Sequence, residues 1–205
     1  MTSDYAQLHF EPLLIVISGP SGVGKDTVLQ HMKDRQLPFH FVVTATTRPI
    51  RSGEVHGQDY FFLTENEFAQ MIDENELLEY AIVYNDYKGI PKQQVREALM
   101  SGKDVVMRVD VQGAETVRGI CPEAVLIFLA TETEDELEER LRKRMTESTE
   151  SINLRVAMAR KELNRVEMFD YLVINADGKL GSTIDTIISI IDAEHHRTTP
   201  RKVTL

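Results

Sequence analysis

The sequence predicts an α/β domain wound around a parallel sheet. Short apolar runs alternate with helical patterns, the runs lack the in-and-out alternation of a half-exposed strand, and a glycine-rich turn joins the first run to the first helix. Runs rich in Val, Ile, Leu and Phe without alternation suit a sheet covered on both faces. At 205 residues the chain can bury roughly 70% of the surface its unfolded form exposes, so one core needs no staples. A single domain over 1–205 is expected.

Leu13 to Ile17 reads as a buried strand, followed by the glycine turn and a helix from Asp26 to about Arg35. Further strands are expected at Phe39 to Thr44, Asp104 to Asp110, Ala124 to Ala130 and Tyr171 to Asn175. Helices are expected at Pro91 to Ser101, Gln112 to Arg118, Thr133 to Arg144, Ile152 to Glu167 and Ser182 to His195. Thr64-Glu65-Asn66-Glu67 and Thr133-Glu134-Asp135-Glu136 have capping-box spacing.

Two stretches interrupt the rhythm, leaving a core of about 13–44, 91–130 and 168–195. Residues 45–90 open on a polar loop, then give Tyr60-Phe61-Phe62-Leu63, a short helix and the strand-like Leu77 to Val83, as a small α+β insertion would. Residues 131–167 are charged and helical. Glu136/Arg140, Glu138/Arg142 and Glu139/Lys143 are pairs four apart, the spacing of a solvated helix face.

With 23 Lys+Arg against 33 Asp+Glu, the net charge of -10 argues against coating nucleic acid or an anionic membrane. No apolar run approaches the ~20 residues of a membrane span, and the start lacks the pattern of a signal peptide. The lone Cys121 forms no internal disulfide and suits a reducing compartment, the cytoplasm. The basic stretch from His195 to Leu205 is expected to be disordered.

The strongest motif is Gly19-Pro20-Ser21-Gly22-Val23-Gly24-Lys25, between the first strand and the first helix. It fits G-x-x-x-x-G-K in its required context, where glycines let backbone N–H groups wrap a phosphate and the lysine reaches the β/γ-phosphates. The helix N-terminus adds its positive end to the same anion site. Asp26, with Thr27 behind it, stands where Ser or Thr normally follows the lysine. Asp26 could ligate Mg²⁺ or hold one of its waters, Thr27 could substitute, or Asp26 simply favours the helix N-terminus.

A second anion site is suggested by Thr46 to Phe62. Arg48 and Arg51, three apart on a loop bounded by Pro and Gly, make a fork suited to a phosphate dianion, and Tyr60 offers a hydroxyl. Alone, such a loop reads as surface charge. Beside a phosphate-donor loop, it is what a kinase acting on a phosphate needs.

This stretch matches T-[ST]-R-x-x-[KR]-x-x-[DE]-x-x-G-x-x-Y-x-[FY] at every defined position. Here the chain resembles the guanylate kinases of the P-loop nucleoside monophosphate kinase group, collinearly from about residue 13 to 176. The resemblance implies a three-layer P-loop fold with a parallel central sheet, a small α+β NMP-binding insertion and a helical lid. It implies Mg²⁺-dependent transfer of the ATP γ-phosphoryl group to GMP, and to dGMP. Thr44, Glu79 and Asp110 would then face the guanine, with Arg48, Arg51, Tyr60 and Lys88 on the GMP phosphate. A carboxylate suits the N1–H and amine of guanine, whereas adenine would leave it unpaired. Arg144 and Arg155 would close over the transferring group, and Asn175 would touch the adenine or support the lid. The sequence leaves monomer against homodimer open.

The chain departs from the family pattern at Lys88-Gly89-Ile90, where Tyr-Gly-[ST] is usual, and at Arg108, where an acid is usual. Met145 stands where glycine is common. Three rival readings are a related kinase with another phosphate acceptor, a non-catalytic guanylate-kinase-like interaction domain, and a GTPase, since Asp110-Val111-Gln112-Gly113 fits D-x-x-G. Glu79 and Asp110 argue against the first, Lys25 against the second, and the lack of N-K-x-D against the third.

Overall fold

The computed structural model describes residues 11–83, 86–143 and 149–205. In chain order it contains β1 (Leu14–Ser18), α1 (Lys25–Asp34), β2 (His40–Phe41), β3 (Thr44–Thr46), β4 (Tyr60–Phe62) and α2 (Glu65–Asp73). There follow β5 (Leu77–Val83), β6 (Asp86–Pro91), α3 (Lys92–Met100), β7 (Val105–Arg108), α4 (Val111–Ile120) and β8 (Val125–Ala130). The chain closes with α5 (Glu134–Lys143), α6 (Thr149–Leu163), a 3₁₀ turn at Val166–Met168, β9 (Tyr171–Ile174) and α7 (Leu180–His195).

The core is a five-stranded sheet in the order β2-β7-β1-β8-β9, parallel at every pairing. All five residues of β1 are buried because both faces are covered. Ile15 and Ile17 face α1 and α7 through Val28, Met32, Ile184 and Ile187. Leu14 and Val16 face α3 and α4 through Val95, Ala98, Ala114 and Val117. This layering of helix, sheet and helix is the α/β class expected from the apolar runs.

A second sheet, β4-β3-β6-β5, is formed within residues 44–91. Phe39 to Thr44 is not one strand: β2 pairs with β7 in the core sheet, and β3 pairs with β4 and β6 in the second. Between them the Gln94 side chain takes both backbone groups of Val43, its amide oxygen accepting at 2.9 Å and its nitrogen donating at 2.6 Å. A ladder is unnecessary where one amide satisfies both groups. Strand β6, absent from the sequence expectation, pairs with both β3 and β5. The capping box at Thr64 is complete. At Thr133 the Oγ accepts from Glu136 N–H, while the Glu136 carboxylate accepts from Glu132 N–H instead of closing the box.

The C-terminal stretch is ordered, against expectation. Arg201 is buried and donates to Glu194, itself 2% exposed, and Val203 and Leu205 pack against the α3/α4 face of the core. An ion pair with a buried carboxylate and an apolar face for the last residues hold down what composition alone reads as a loose basic tail. No helix among the described residues is long and apolar enough to cross a membrane.

Candidate active site

The turn after β1 is built for close backbone approach. Gly24 caps α1 at φ 100°, and a Cβ there would lie 2.6 Å from Asn175 Nδ2. Only glycine satisfies both conditions. Asn175 follows β9, and its amide spans the site, donating to Val23 O at 2.8 Å and accepting from Thr183 Oγ1 at 3.1 Å. The side chain expected near the adenine or lid therefore braces the loop itself. Lys25 turns back along its own loop and donates to Gly19 O at 2.5 Å and Pro20 O at 3.0 Å.

Arg140 was expected on a solvated face. Its pair with Glu136 forms at 2.5 Å, but the guanidinium also donates to Val23 O at 3.2 Å and Asn175 O at 2.7 Å. One side chain thus ties α5 to the loop and to the end of β9. Glu162, on α6, is a second carboxylate at the loop that the sequence did not flag. Burial pushes its pKa up, while Lys25 and a hydrogen bond from the Ser21 backbone pull it down.

Beside the loop lies a cavity of about 1040 Å³, and Thr44, Arg48, Arg51, Lys88, Arg108 and Arg155 are among its walls. Arg48 is fixed by Glu54 at 2.7 Å and stacks over Tyr60 and Phe62 at 5.2 and 5.5 Å. The Glu54 hydrogen bond holds Arg48 above its usual pKa. Glu54 also accepts from Arg51 N–H at 2.8 Å, so one carboxylate shapes the whole arginine loop. Burial, and then the charge of Arg48, lower the pKa of Lys88. Burial raises that of Tyr60. Ile90 is wholly buried in the core, so this departure is a packing residue.

Glu79 and Asp110 are not among the cavity's lining residues; Glu79, 8% exposed, lies within electrostatic reach of Asp110, whose charge also acts on Lys88 of the cavity wall. Asp110 caps α4 by accepting from Gly113 N–H at 2.7 Å. Gly113 itself leaves room for Glu79, since a Cβ there would lie 2.7 Å from Glu79 Oε2. Burial first, and then the Asp110 charge, push the Glu79 pKa up to about 8. A buried acid perturbed in this way by burial and a neighbouring charge marks a candidate functional site.

Asp26 pairs with Arg108, a partner that neither its metal nor its helix-end expectation contained. Arg108 also donates to Tyr60 Oη at 2.6 Å. Thr27 lies in the first turn of α1, at the cavity. Arg144 lies outside the described residues.

The guanylate kinase family profile matches residues 11–194, nearly the whole chain. The chain belongs to the guanylate kinase family. Guanylate kinase 2, chloroplastic/mitochondrial, of Oryza sativa subsp. japonica is 50% identical over 196 residues, which cover 95% of this chain and 69% of that protein. The guanylate kinase of Lactobacillus delbrueckii subsp. bulgaricus is 45% identical over 184 residues, covering 89% of each. In three dimensions the crystal structure of guanylate kinase from Anaplasma phagocytophilum matches with a TM-score of 0.73 at 27% identity, over 93% of this chain and 89% of that one. Asp26 and Arg108, which pair in the structure, are both positions where the sequence departs from the pattern the resemblance implies, an acid standing for a hydroxyl and a base for an acid.

Proposed function

We propose that this chain transfers the γ-phosphoryl group of ATP to GMP, and to dGMP, giving ADP and GDP. The observation that carries the reading is a braced phosphate loop beside a cavity walled by Arg48, Arg51 and Lys88, together with the buried Glu79, whose neighbour Asp110 acts on Lys88 through its charge. Family membership and this geometry point to the same substrates.

ATP phosphates take the turn from Gly19 to Gly24, and Lys25 swings from the carbonyls of Gly19 and Pro20 onto them. Arg48, Arg51, Tyr60 and Lys88 hold the GMP phosphate, while Glu79, Asp110 and Thr44 read the guanine. The acceptor is already an ionised oxygen nucleophile, so positioning and charge stabilisation supply the catalysis. Arg155, from the cavity wall, and Arg144 neutralise charge on the transferring group. Closure of α5 and α6 over both nucleotides would exclude water that otherwise hydrolyses ATP.

Mg²⁺ accompanies ATP in this reading and, when bound, neutralises the β- and γ-phosphates. Among the described residues no group of three or more His, Cys, Asp or Glu is arranged to hold a metal. This fits an ion carried mainly by phosphates and water, with the Thr27 hydroxyl as the side chain assigned to it. The lone buried Cys121 suits a reducing aqueous compartment, which we take to be the cytoplasm.

The test is an ADP-release assay with ATP and, in separate reactions, GMP, dGMP, AMP, CMP and UMP. Turnover with GMP and dGMP is expected. No turnover with GMP would end the reading.

A further inference from the structure

The two amino groups of the Arg108 guanidinium point to opposite sides of the site. Nη1 pairs with Asp26 in the first turn of α1, and Nη2 donates to Tyr60 Oη at 2.6 Å on β4. One planar group thus spans from the donor loop to the acceptor wall. Asp26 is 67% exposed at its side chain, whereas Arg108 is 23% exposed, so the acid reaches inward to a partly buried base. Arg108 also stacks over the Tyr60 ring at 5.5 Å, as Arg48 does from its own side at 5.2 Å. It is a cavity-wall residue beside Arg48, Arg51 and Lys88. A guanidinium has five donors in a fixed fork, so it can keep both contacts and still donate to a phosphate.

We infer that Arg108 is an additional ligand of the acceptor phosphate and that Asp26, though part of the donor-loop segment, is its positioning residue. Asp26 holds the fork against the α1 terminus, which fixes the plane in which the remaining donors meet the phosphate beside Tyr60. A carboxylate that does this work belongs energetically to the acceptor side. The inference rests on the proposed GMP site.

The test is calorimetric titration with GMP and, separately, with guanosine, without ATP or Mg²⁺. The proteins are wild type, Arg108→Gln, Arg108→Lys, Asp26→Asn and the double variant Asp26→Asn/Arg108→Gln, with melting temperatures recorded for each. Arg108→Gln should weaken GMP roughly 10- to 100-fold, the scale of one charge-assisted hydrogen bond, and leave guanosine unchanged. Arg108→Lys should lose part of that affinity, since an ammonium keeps the charge but cannot span both partners. Asp26→Asn should weaken GMP by about 3- to 10-fold, and the double variant should be no weaker than Arg108→Gln, because Asp26 acts through Arg108.

Equal losses for GMP and guanosine would overturn the phosphate assignment. Unchanged GMP affinity in Asp26→Asn would overturn the positioning role, and a raised Mg²⁺ requirement of that variant in the ADP-release assay would then make Asp26 a metal ligand. Wild-type protein that binds no GMP would instead remove the proposed function on which the inference stands.

Discussion

The proposed donor and acceptor halves of the site are both assigned to phosphate, and they are built from different materials. The donor turn is backbone: Gly24 at φ 100°, with Val23 O held by Asn175 and Arg140. The acceptor half is side-chain charge: Arg48 set by Glu54, Arg108 set by Asp26, and Lys88 over the Tyr60 ring at 6.0 Å. A backbone cradle is specified by a few adjacent residues and holds any polyphosphate. A charge lattice is drawn from distant strands and can be retuned by single substitutions. The proposed guanine site adds a third material, a buried carboxylate with its pKa raised to about 8.

Each difference can be broken separately. The largest effect is expected from Lys25→Ala, which should cost at least about 100-fold in kcat, the scale of losing one preorganised donor to a transition state. Melting temperatures recorded beside the rates separate a lost substrate contact from a lost brace, since Lys25 also donates to Gly19 O and Pro20 O. A large loss of stability would mean that the lysine holds the cradle together and is not reserved for substrate.

Next comes the acidity of Glu79. Between its ordinary value of 4.5 and its folded value of about 8, the folded protein binds the extra proton. Stability from this group is therefore fully present below about pH 4.5 and is lost as pH rises to about 8. GMP needs the ionised carboxylate, so GMP affinity should climb by up to about tenfold per pH unit between pH 6 and 8. Guanosine should show the same slope. Titrations in buffers of different ionisation heat should register one proton released on binding. A flat profile would mean that Glu79 is already ionised in the free protein.

A smaller effect tests the brace. Asn175→Ala leaves Val23 O with Arg140 and deprives Thr183 of its acceptor on the Asn175 side chain. Thermal or urea unfolding should show a loss of about 1–3 kcal/mol, with KM raised for ATP and little changed for GMP. Equal changes in both KM values would dissolve the distinction between the two halves.

That distinction also explains what could be read from the sequence. The loop was legible because its strand, glycines, lysine and helix are contiguous. The arginine loop was legible as a pattern, but not the role of Glu54, whose two contacts with Arg48 and Arg51 emerge only when the loop folds back. Strand β6 was missed because Asp-Tyr-Lys-Gly-Ile-Pro has poor strand propensity. Its two neighbouring strands override that preference. Arg140 gave the same four-residue signal as its exposed neighbours, and nothing local says which guanidinium reaches the loop. Arg108 stood out as a departure from the family pattern, yet its partner lies 82 positions away in sequence, from 108 back to 26.

In the proposed site a buried carboxylate selects guanine in front of a general phosphate machine. This selection is tested most directly by the ratio of kcat/KM for GMP to that for AMP, measured in wild type and in Glu79→Gln. Wild type should favour GMP by about 10⁴-fold or more. Glu79→Gln should lower that ratio by roughly 10- to 100-fold with the KM for ATP unchanged. A wild-type enzyme that turns over AMP as well as GMP, or a Glu79→Gln variant with an unaltered ratio, would contradict it.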